Sequence, residues 1–231
     1  MNKLSRHEAV SLAKKTGDLS GFDLSGVDLS RLDFIGCSFR GCSLKGANLS
    51  SANICMSDFE GADLSGCIMS STNFIGTVFR KSMLENSDLT FSSFAGGDFT
   101  GALLRRANFT NSKISHANFT QADLSGANLQ MTEAVLIRCL EADLRKINAY
   151  GSSMIGADLV RTDLRESSLR GTDLSGANLS SADLRGAEIL ETILIAANLT
   201  GADLRGASLT RAEMARTILS GVKTDPHTGL G

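Results

Sequence analysis

The stretch SGANLSSADLRGAEIL, residues 175–190, contains one five-residue pattern three times: a small residue, a polar residue, a large apolar residue and two further residues. A period of five matches neither the 3.6-residue period of an α-helix nor the two-residue period of a β-strand. A turn after every three extended residues restores the phase, so the small and large residues of each unit face one interior. The stretch therefore predicts a tube built from short extended segments and turns.

The repeat runs through nearly the whole chain in one register. The large apolar residue, called here the centre of each unit, recurs at every fifth position from Leu19 to Leu219 without an insertion. At a spacing of 20 residues, all centres from Leu24 to Leu204 are leucine, whereas a spacing of 15 stacks unlike residues. The sequence therefore predicts four sides in each coil and about ten stacked coils. Only three centres are not Leu, Ile, Phe or Met: Ala134, Cys139 and Ala149.

These A(D/N)LxG-like units resemble the pentapeptide-repeat family, and the resemblance covers residues 17–221. It implies a right-handed quadrilateral β-helix, an all-β solenoid whose handedness comes from the resemblance alone. We expect three parts: an N-terminal capping helix over residues 1–16, the repeat β-helix over 17–221 and a C-terminal tail over 222–231.

The two ends of the solenoid carry different signals. Residues 4–17, LSRHEAVSLAKKTG, predict a short helix with Ser5 as N-cap, Glu8 as its capping-box partner and Gly17 as the stop. Leu4 and Ala9, with Leu12 and Ala13, give this helix an apolar side, so we expect it to cover the first coil. Residues 221–231, GVKTDPHTGLG, offer no comparable helix. That end is expected to be open or covered by a partner chain.

Composition limits the classes of partner and the compartment. The 231 residues include 25 acidic and 23 basic side chains, a net charge of −2, which favours neither direct nucleic-acid binding nor an acidic surface. No apolar run is long enough for a membrane span and no leader is visible, so a cytoplasmic protein is expected. Four of the five cysteines fall at interior positions and only Cys55 is expected to face outward. Reduced thiols suit that compartment.

No group of residues predicts chemistry. His7, His116 and His227 are more than four coils apart and form no ligand set, and no phosphate-binding glycine motif with its Lys appears. We therefore expect no enzyme activity, metal or cofactor. Asp and Arg form columns at 20-residue spacing, of which Asp143 and Arg145 are one pair. Since each Arg has an Asp two residues away, we favour a self-paired, solvated surface over a phosphate site.

One side of the tube carries an apolar stripe. The first turn residue after Phe34 and after the centres stacked on it is apolar in eight of ten coils, whereas this position is seldom apolar on the other sides. Contiguous exposed apolar surface is typical of contact sites. The alternative is that these side chains fold over the turn and shield the core. The candidate interaction surface is Ile35, Ile75, Val135, Leu136, Ile155 and Ile195.

Residues 132–151 depart from the pattern. Ile137 takes a small position and Cys139 a large one, and Ile147 with Ala149 repeats the exchange. The exchange roughly conserves volume, which favours a locally repacked coil. The alternative is a bend that presents Leu136, Leu140 and Tyr150 to a partner. Leu140 and Tyr150 form a second candidate surface.

Function is therefore expected to depend on surfaces. We expect a non-enzymatic rod that binds a protein partner, or a second copy of itself as a homodimer, through the apolar stripe or the C-terminal end. The alternative, implied by the resemblance, is a DNA-mimicking protein that protects or inhibits DNA gyrase or topoisomerase. Such relatives are acidic dimeric rods, some with loops between coils. This chain departs from them in its near-zero net charge and its lack of an inserted loop.

Overall fold

The chain advances by one coil for every 20 residues. In the computed structural model, which describes residues 1–226 and residue 228, parallel β-bridges join residues 20 apart, from Asp18 and Ser38 to Asp203 and Lys223. This is the register that the stacked leucine centres predict, with four five-residue sides per coil. His227 and residues 229–231 of the predicted tail lie outside the described residues.

Backbone hydrogen bonds connect each side of one coil to the same side of the next. The N–H of Leu24 donates to the carbonyl of Ser43 at 2.7 Å, and the N–H of Ser43 donates back to the carbonyl of Phe22 at 3.1 Å. Each extended segment between turns is too short for a longer ladder. In the described residues the coils are consequently joined by isolated bridges, and no continuous strand forms.

The turns at the corners depend on a left-handed backbone at the second turn residue. At one such corner the N–H of Ala47 donates to the carbonyl of Leu44 at 2.8 Å, and Gly46 has φ 62°. A positive φ at this position is what a type II turn requires. Other residues accept it too, such as Arg106 with φ 56°, although the left-handed region costs a non-glycine residue about 1 kcal/mol. Pairing with the coils on both sides holds these turns.

The interior is filled by the centres and the small residues beside them. As predicted, five phenylalanines stack in one column, with ring centroids 4.6–5.3 Å apart. Small polar residues donate to the preceding coil: the Ser57 hydroxyl bonds the Phe34 carbonyl at 2.7 Å, and the Thr77 hydroxyl bonds the Ile54 carbonyl at 2.9 Å. Most buried hydroxyls among the described residues are thereby satisfied inside an apolar core, and Ser112 Oγ is the exception. The stacked column is Phe39, Phe59, Phe79, Phe99 and Phe119.

The exchanged residues of segment 132–151 leave the coil unbroken. Ile137 and Ile147 are buried at the small positions, and Cys139 and Ala149 are buried at the centres. The bridge between Glu133 and Ser153 continues the same 20-residue register. The structure thus shows a locally repacked coil, as the conserved volume of the exchange favours.

Helix α1, Arg6–Thr16, begins and ends where the sequence predicts. The Ser5 N–H donates to Glu8 Oε2 at 2.8 Å and the Ser5 side chain accepts from the Glu8 N–H, which completes the capping box; Gly17 ends the helix in the left-handed conformation. Ala9 is fully buried against the core, and the Arg6 guanidinium donates to the Asp28 carbonyl at 2.6 Å. These contacts fix α1 on the first coil.

The last coil is covered over only part of its end. The Asp225 carboxylate accepts from the Gly206 N–H at 2.7 Å, and the Thr228 hydroxyl donates to the Leu204 carbonyl at 3.2 Å. Leu219 is 39% exposed, although the preceding leucines of its interior column are buried. Within the described residues, the C-terminal end therefore leaves part of the apolar interior accessible.

Candidate interaction surface

The first ridge is the corner of the rod that follows the centres stacked on Phe34. Its isoleucines are exposed, from 52% at Ile35 to 37% at Ile195, while Val135 is half-buried. Ile35 and Ile195 are eight coils apart, a distance of roughly 38 Å at the usual strand spacing. The first ridge consists of Ile35, Met56, Ile75, Val135, Leu136, Ile155 and Ile195.

Two members of the first ridge occupy the second turn position, and one of them, Met56, was missed by the sequence analysis. Met56 and Leu136 have φ 56° and are 67% and 49% exposed. Each lies over a glycine of the next coil: Leu136 Cδ2 is 2.8 Å from the place a Cβ would take on Gly156, and Met56 Cγ is 3.7 Å from that place on Gly76. The glycines thus leave room for the ridge. The signal was a large apolar residue 20 positions before a glycine.

A second ridge runs along the neighbouring corner of the same side, and consists of Phe91, Met131 and Tyr150. These side chains are exposed by 65%, 57% and 48%. Met131 also lies over a glycine, with its Sδ 2.8 Å from the Cβ place on Gly151. We call the two ridges and the strip between them the apolar wall. Nine of the thirteen exposed large apolar side chains among the described residues lie on it.

The structure separates the two residues of the second candidate surface. Tyr150 belongs to the second ridge, whereas half-buried Leu140 is half a coil away on the opposite corner. Leu136 lies on the first ridge, across the apolar wall from Tyr150. Exposed apolar residues are densest here, because Met131 and Tyr150 occupy one corner and Leu136 and Ile155 the other, in two successive coils. We call these four residues the central cluster.

The strip between the ridges is polar, with an uncharged run of outward residues from Asn53 to Ser93 and charged ones at Asp33, Lys113, Glu133 and Asp173. Its outward positions include Asn53, Asn73 and Ser93, and the Asn73 amide donates to Asn53 Oδ1 at 2.9 Å. Further along, Lys113 and Glu133 lie 3.8 Å apart and oppose each other. The uncharged run from Asn53 to Ser93, beside exposed Met56, Ile75 and Phe91, has the charge-depleted composition of an interface centre.

The Asp and Arg columns form the self-paired surface that the sequence predicts. In each of four successive coils the Arg Nη2 lies 2.6 Å from the Asp Oδ2 two residues earlier, as between Arg205 and Asp203. The hydrogen bond from Arg205 lowers the pKa of Asp203 to about 2. The four pairs are Asp143–Arg145, Asp163–Arg165, Asp183–Arg185 and Asp203–Arg205.

The described residues show no arrangement for metal chemistry. His7 lies in α1 and His116 at a corner of the rod, and no group of three potential metal ligands occurs in the described part of the chain. All five cysteines are free thiols; Cys55 is half-buried, and burial raises the pKa of Cys67 to about 12. No helix within the described residues is long and apolar enough to cross a membrane.

The family model for pentapeptide repeats matches most of the chain in eight copies. They lie at residues 23–61, 42–81, 57–94, 67–106, 102–134, 141–171, 157–194 and 194–223. Members of this family form right-handed quadrilateral β-helices, in agreement with the four sides per coil seen here. A comparison with curated protein sequences gives no match.

Solved pentapeptide-repeat proteins resemble the chain along most of its length. HetL, which is involved in heterocyst differentiation regulation in the cyanobacterium Nostoc sp. strain PCC 7120, is 22% identical, with 97% of this chain and 98% of that chain covered and a TM-score of 0.43. QnrB1, a plasmid-mediated fluoroquinolone resistance protein, is 23% identical over 88% of this chain and 90% of that chain, with a TM-score of 0.49. At TM-scores below 0.5, neither likeness supports a functional conclusion.

Proposed function

The chain belongs to the pentapeptide-repeat family, and on that premise we propose that it is a non-enzymatic rigid rod that binds a protein partner or a second copy of itself through the apolar wall. Pentapeptide-repeat proteins are generally structural or interaction proteins. The observation that carries the proposal is the concentration of exposed apolar side chains on one of four sides. Scattered exposure would distribute them over all four.

Burial of the exposed side chains of the apolar wall would supply the free energy of binding. Burying one Ile or Val side chain stabilises by roughly 1.5–3 kcal/mol, so several on one rigid wall offset the cost of association. The central cluster adds Tyr150 and Met131, residue types that interfaces favour. Leu136 and Met131 also keep a left-handed backbone, with φ 56° and 54°, at positions where glycine would be unstrained. Retaining large apolar residues there favours a role for their side chains outside the rod.

The remaining parts of the molecule complete this proposal. We assign residues 1–16 to the capping part, in which α1 covers the first coil, residues 17–221 to the rod of about ten coils, and residues 222–231 to the tail. The partly open C-terminal end is a second place for a partner or a second copy. A cytoplasmic location, without direct nucleic-acid binding, is supported by free interior thiols and near-zero net charge.

Gyrase protection ranks second. A mimic of duplex DNA presents continuous negative charge to a positive groove. In this chain each Asp of the column from residue 143 to residue 203 forms an ion pair with an Arg at 2.6 Å. The charge of that surface is largely cancelled, which favours the apolar wall as the working surface.

The test is a pair of matched double variants. Ile75→Lys with Ile155→Lys places two charges on the first ridge, four coils apart. Thr100→Lys with Ser180→Lys places two charges at the same turn position and spacing on another side. We expect the first variant to weaken self-association or partner capture by about 100-fold or more, because the lysines would have to be desolvated.

Sedimentation velocity measures self-association, and capture from an extract of the source organism on the immobilised protein measures partner binding. A melting curve for each variant confirms that the coil is intact. Equal mass and equal capture for both double variants would contradict the proposal, and so would a large drop in melting temperature for the wall variant, since it would place Ile75 and Ile155 in the core.

A further inference from the structure

A basic groove runs along a different corner of the rod, after the centres Leu104 to Leu164. It is open, with a volume of about 330 Å³, and four cations and one acid line it around two small residues. The cations are Arg106, Arg145, Lys146 and Arg165; the acid is Glu166; the small residues are Ser125 and Gly126.

The groove arises from what is stacked at 20-residue spacing. Ser125–Gly126 lies between Arg105–Arg106 in the preceding coil and Arg145–Lys146 in the following one. With coils about 4.8 Å apart, the backbones of the coils before and after Ser125–Gly126 are roughly 10 Å apart. That span leaves room for one oxyanion between two cationic side chains. We call Ser125–Gly126 the notch.

Arg106 is the side chain that distinguishes the notch from the rest of the basic surface. Its guanidinium makes no ion pair or hydrogen bond with any described residue, whereas neighbouring Arg105 bonds Asp123 at 2.6 Å and lies 3.4 Å from Glu85. The Arg106 stem lies over Gly126, with Cγ 3.6 Å from the Cβ place of that glycine. Its charged end therefore lies at the groove without an ion-pair partner among the described residues, although Glu85 and Glu166 line the same surface.

Arg145 and Arg165 belong to the self-paired Asp–Arg columns, but that pairing leaves some of their donors available. Arg145 and Arg165 each use Nε and Nη2 on the Asp of their own coil, and neither Nη1 makes a contact in the described structure. Donation to these Asp carboxylates raises the pKa of both guanidinium groups, so both stay charged. Lys146 lies 3.4 Å from Glu166, and both side chains are about two-thirds exposed. Such an exposed pair is weak and easily exchanged.

We propose that the basic groove binds a diphosphate group, with one of its two phosphates at the notch. Planar guanidinium groups with unused N–H donors match phosphate oxygens, and an anion with several charges competes best with the nearby carboxylates. The groove extends from Arg106 to Arg165 over three coils, roughly 14 Å, which is longer than a single phosphate requires. The site lies on another corner than the apolar wall and does not depend on the proposed function.

The test is titration of the full chain with inorganic pyrophosphate, by calorimetry and by amide chemical shifts. We expect saturable binding with shifts centred on residues 105–106, 125–126 and 145–146. Arg106→Ala and Lys146→Ala should each weaken binding about tenfold, as expected for a lost charge-assisted hydrogen bond. Glu166→Gln should strengthen it, because it removes the acid that competes for Lys146.

Lys81→Ala is the matched control. Like Arg106, Lys81 occupies a second turn position with a left-handed backbone, φ 54°, and its Cγ lies 3.8 Å from the Cβ place on Gly101. It also makes no ion pair among the described residues. Two coils after Lys81, however, the corresponding residue is neutral Gln121, whereas two coils after Arg106 it is Lys146. Its loss should leave pyrophosphate binding unchanged. If adenosine diphosphate binds more tightly than pyrophosphate, the diphosphate group that the site recognises belongs to a nucleotide. If the two bind equally, the ligand is the free diphosphate. Absence of saturation with pyrophosphate overturns the proposal, as does equal weakening by Lys81→Ala and Arg106→Ala.

Discussion

The two halves of the rod fill the same interior column with different residues. From residue 39 to residue 119 the column is phenylalanine, and the rings stack within 11° of parallel. From Cys139 onward it is Cys and then Leu, and the bridges continue in the same register. The backbone pairing between coils therefore sets the shape of the coil, and the same interior column accommodates Phe, Cys or Leu.

The surfaces of the two halves differ in the direction of their ion pairs. In the first half an Arg or Lys pairs with an Asp 18 residues later, in the next coil, as Arg40 does with Asp58 at 2.7 Å. In the second half the Arg pairs at 2.6 Å with the Asp of its own coil, and the next coil's Asp is 3.6–4.0 Å away. The shortest ion pairs with Asp therefore link coils in the first half and lie within single coils in the second, where pairs with Glu, such as Arg161–Glu141 at 2.7 Å, link neighbouring coils.

The largest expected effect lies in the phenylalanine column. Phe79→Ala should lower the free energy of unfolding by about 3–5 kcal/mol, because Phe79 is fully buried between two stacked rings. Leu179→Ala, in the same column of the other half, should cost about 2–5 kcal/mol. Chemical denaturation measures both, with Phe91→Ala on the exposed second ridge as the control. A loss below about 1 kcal/mol at Phe79 would contradict the register.

A smaller effect is expected from acid in the second half. The pKa of Asp203 lies at about 2, below its value of 3.8 in the unfolded chain, because Arg205 donates to its carboxylate. A lowered pKa adds stability that is complete above pH 3.8 and is lost as the pH falls through 2. Asp203→Asn should therefore destabilise the rod by about 1–2 kcal/mol at neutral pH, with the difference from wild type vanishing towards pH 2.

Melting curves from pH 7 to pH 2 measure that difference. Asn198→Ala is the control. Asn198 occupies the same outward position as Asp203, on the preceding side of the coil, and accepts from the Thr200 N–H at 3.0 Å, but it carries no charge. Its cost should be independent of pH. A gap between Asp203→Asn and wild type that stays constant over this range would show that the Arg205 pair does not stabilise the coil.

The fold could be predicted nearly completely, because one rule is repeated through the chain. Five-residue spacing fixes which side chains face inward, and like centres at 20 residues fix four sides; Ser5, Glu8 and Gly17 fix α1. The grouping of Leu140 with Tyr150 ignored that same register, which places positions ten apart on opposite corners.

The surface was harder to predict, because it depends on side chains at left-handed turn positions. In-and-out alternation says nothing about residues such as Met56 or Arg106, whose stems lie along the rod over the glycine of the next coil. Those directions turn an apolar stripe into two ridges and create the notch. The stacking of Arg-Arg, Ser-Gly and Arg-Lys is visible once the sequence is written 20 residues to a row, but only the structure shows that Arg106 forms no ion pair with any described residue.

The two halves of the first ridge should contribute unequally to binding. Ile155→Lys lies in the central cluster, beside Leu136 and across from Tyr150, whereas Ile75→Lys has only Met56 as a large apolar neighbour on its ridge. We expect Ile155→Lys to weaken association about tenfold more, since hot spots cluster where apolar contacts surround them. Neither change should alter the free energy of unfolding by more than about 0.5 kcal/mol. Titration of the captured partner, or sedimentation of the self-associated form, compares them; equal weakening would contradict a dominant central cluster.

The smallest effect, none, is expected in a gyrase supercoiling assay with a quinolone. A DNA mimic has to offer a face whose negative charge attracts the positive DNA-binding groove over several ångströms. In the second half, Arg guanidinium groups 2.6 Å from the Asp column cancel that field, and in the first half Asp58 and Asp98 are paired with Arg40 and Arg80. The purified rod should leave quinolone inhibition unchanged, with gyrase alone and gyrase plus quinolone as controls. Restored supercoiling at micromolar protein would show that shape, rather than net surface charge, is what gyrase recognises, and would place gyrase protection ahead of the apolar wall.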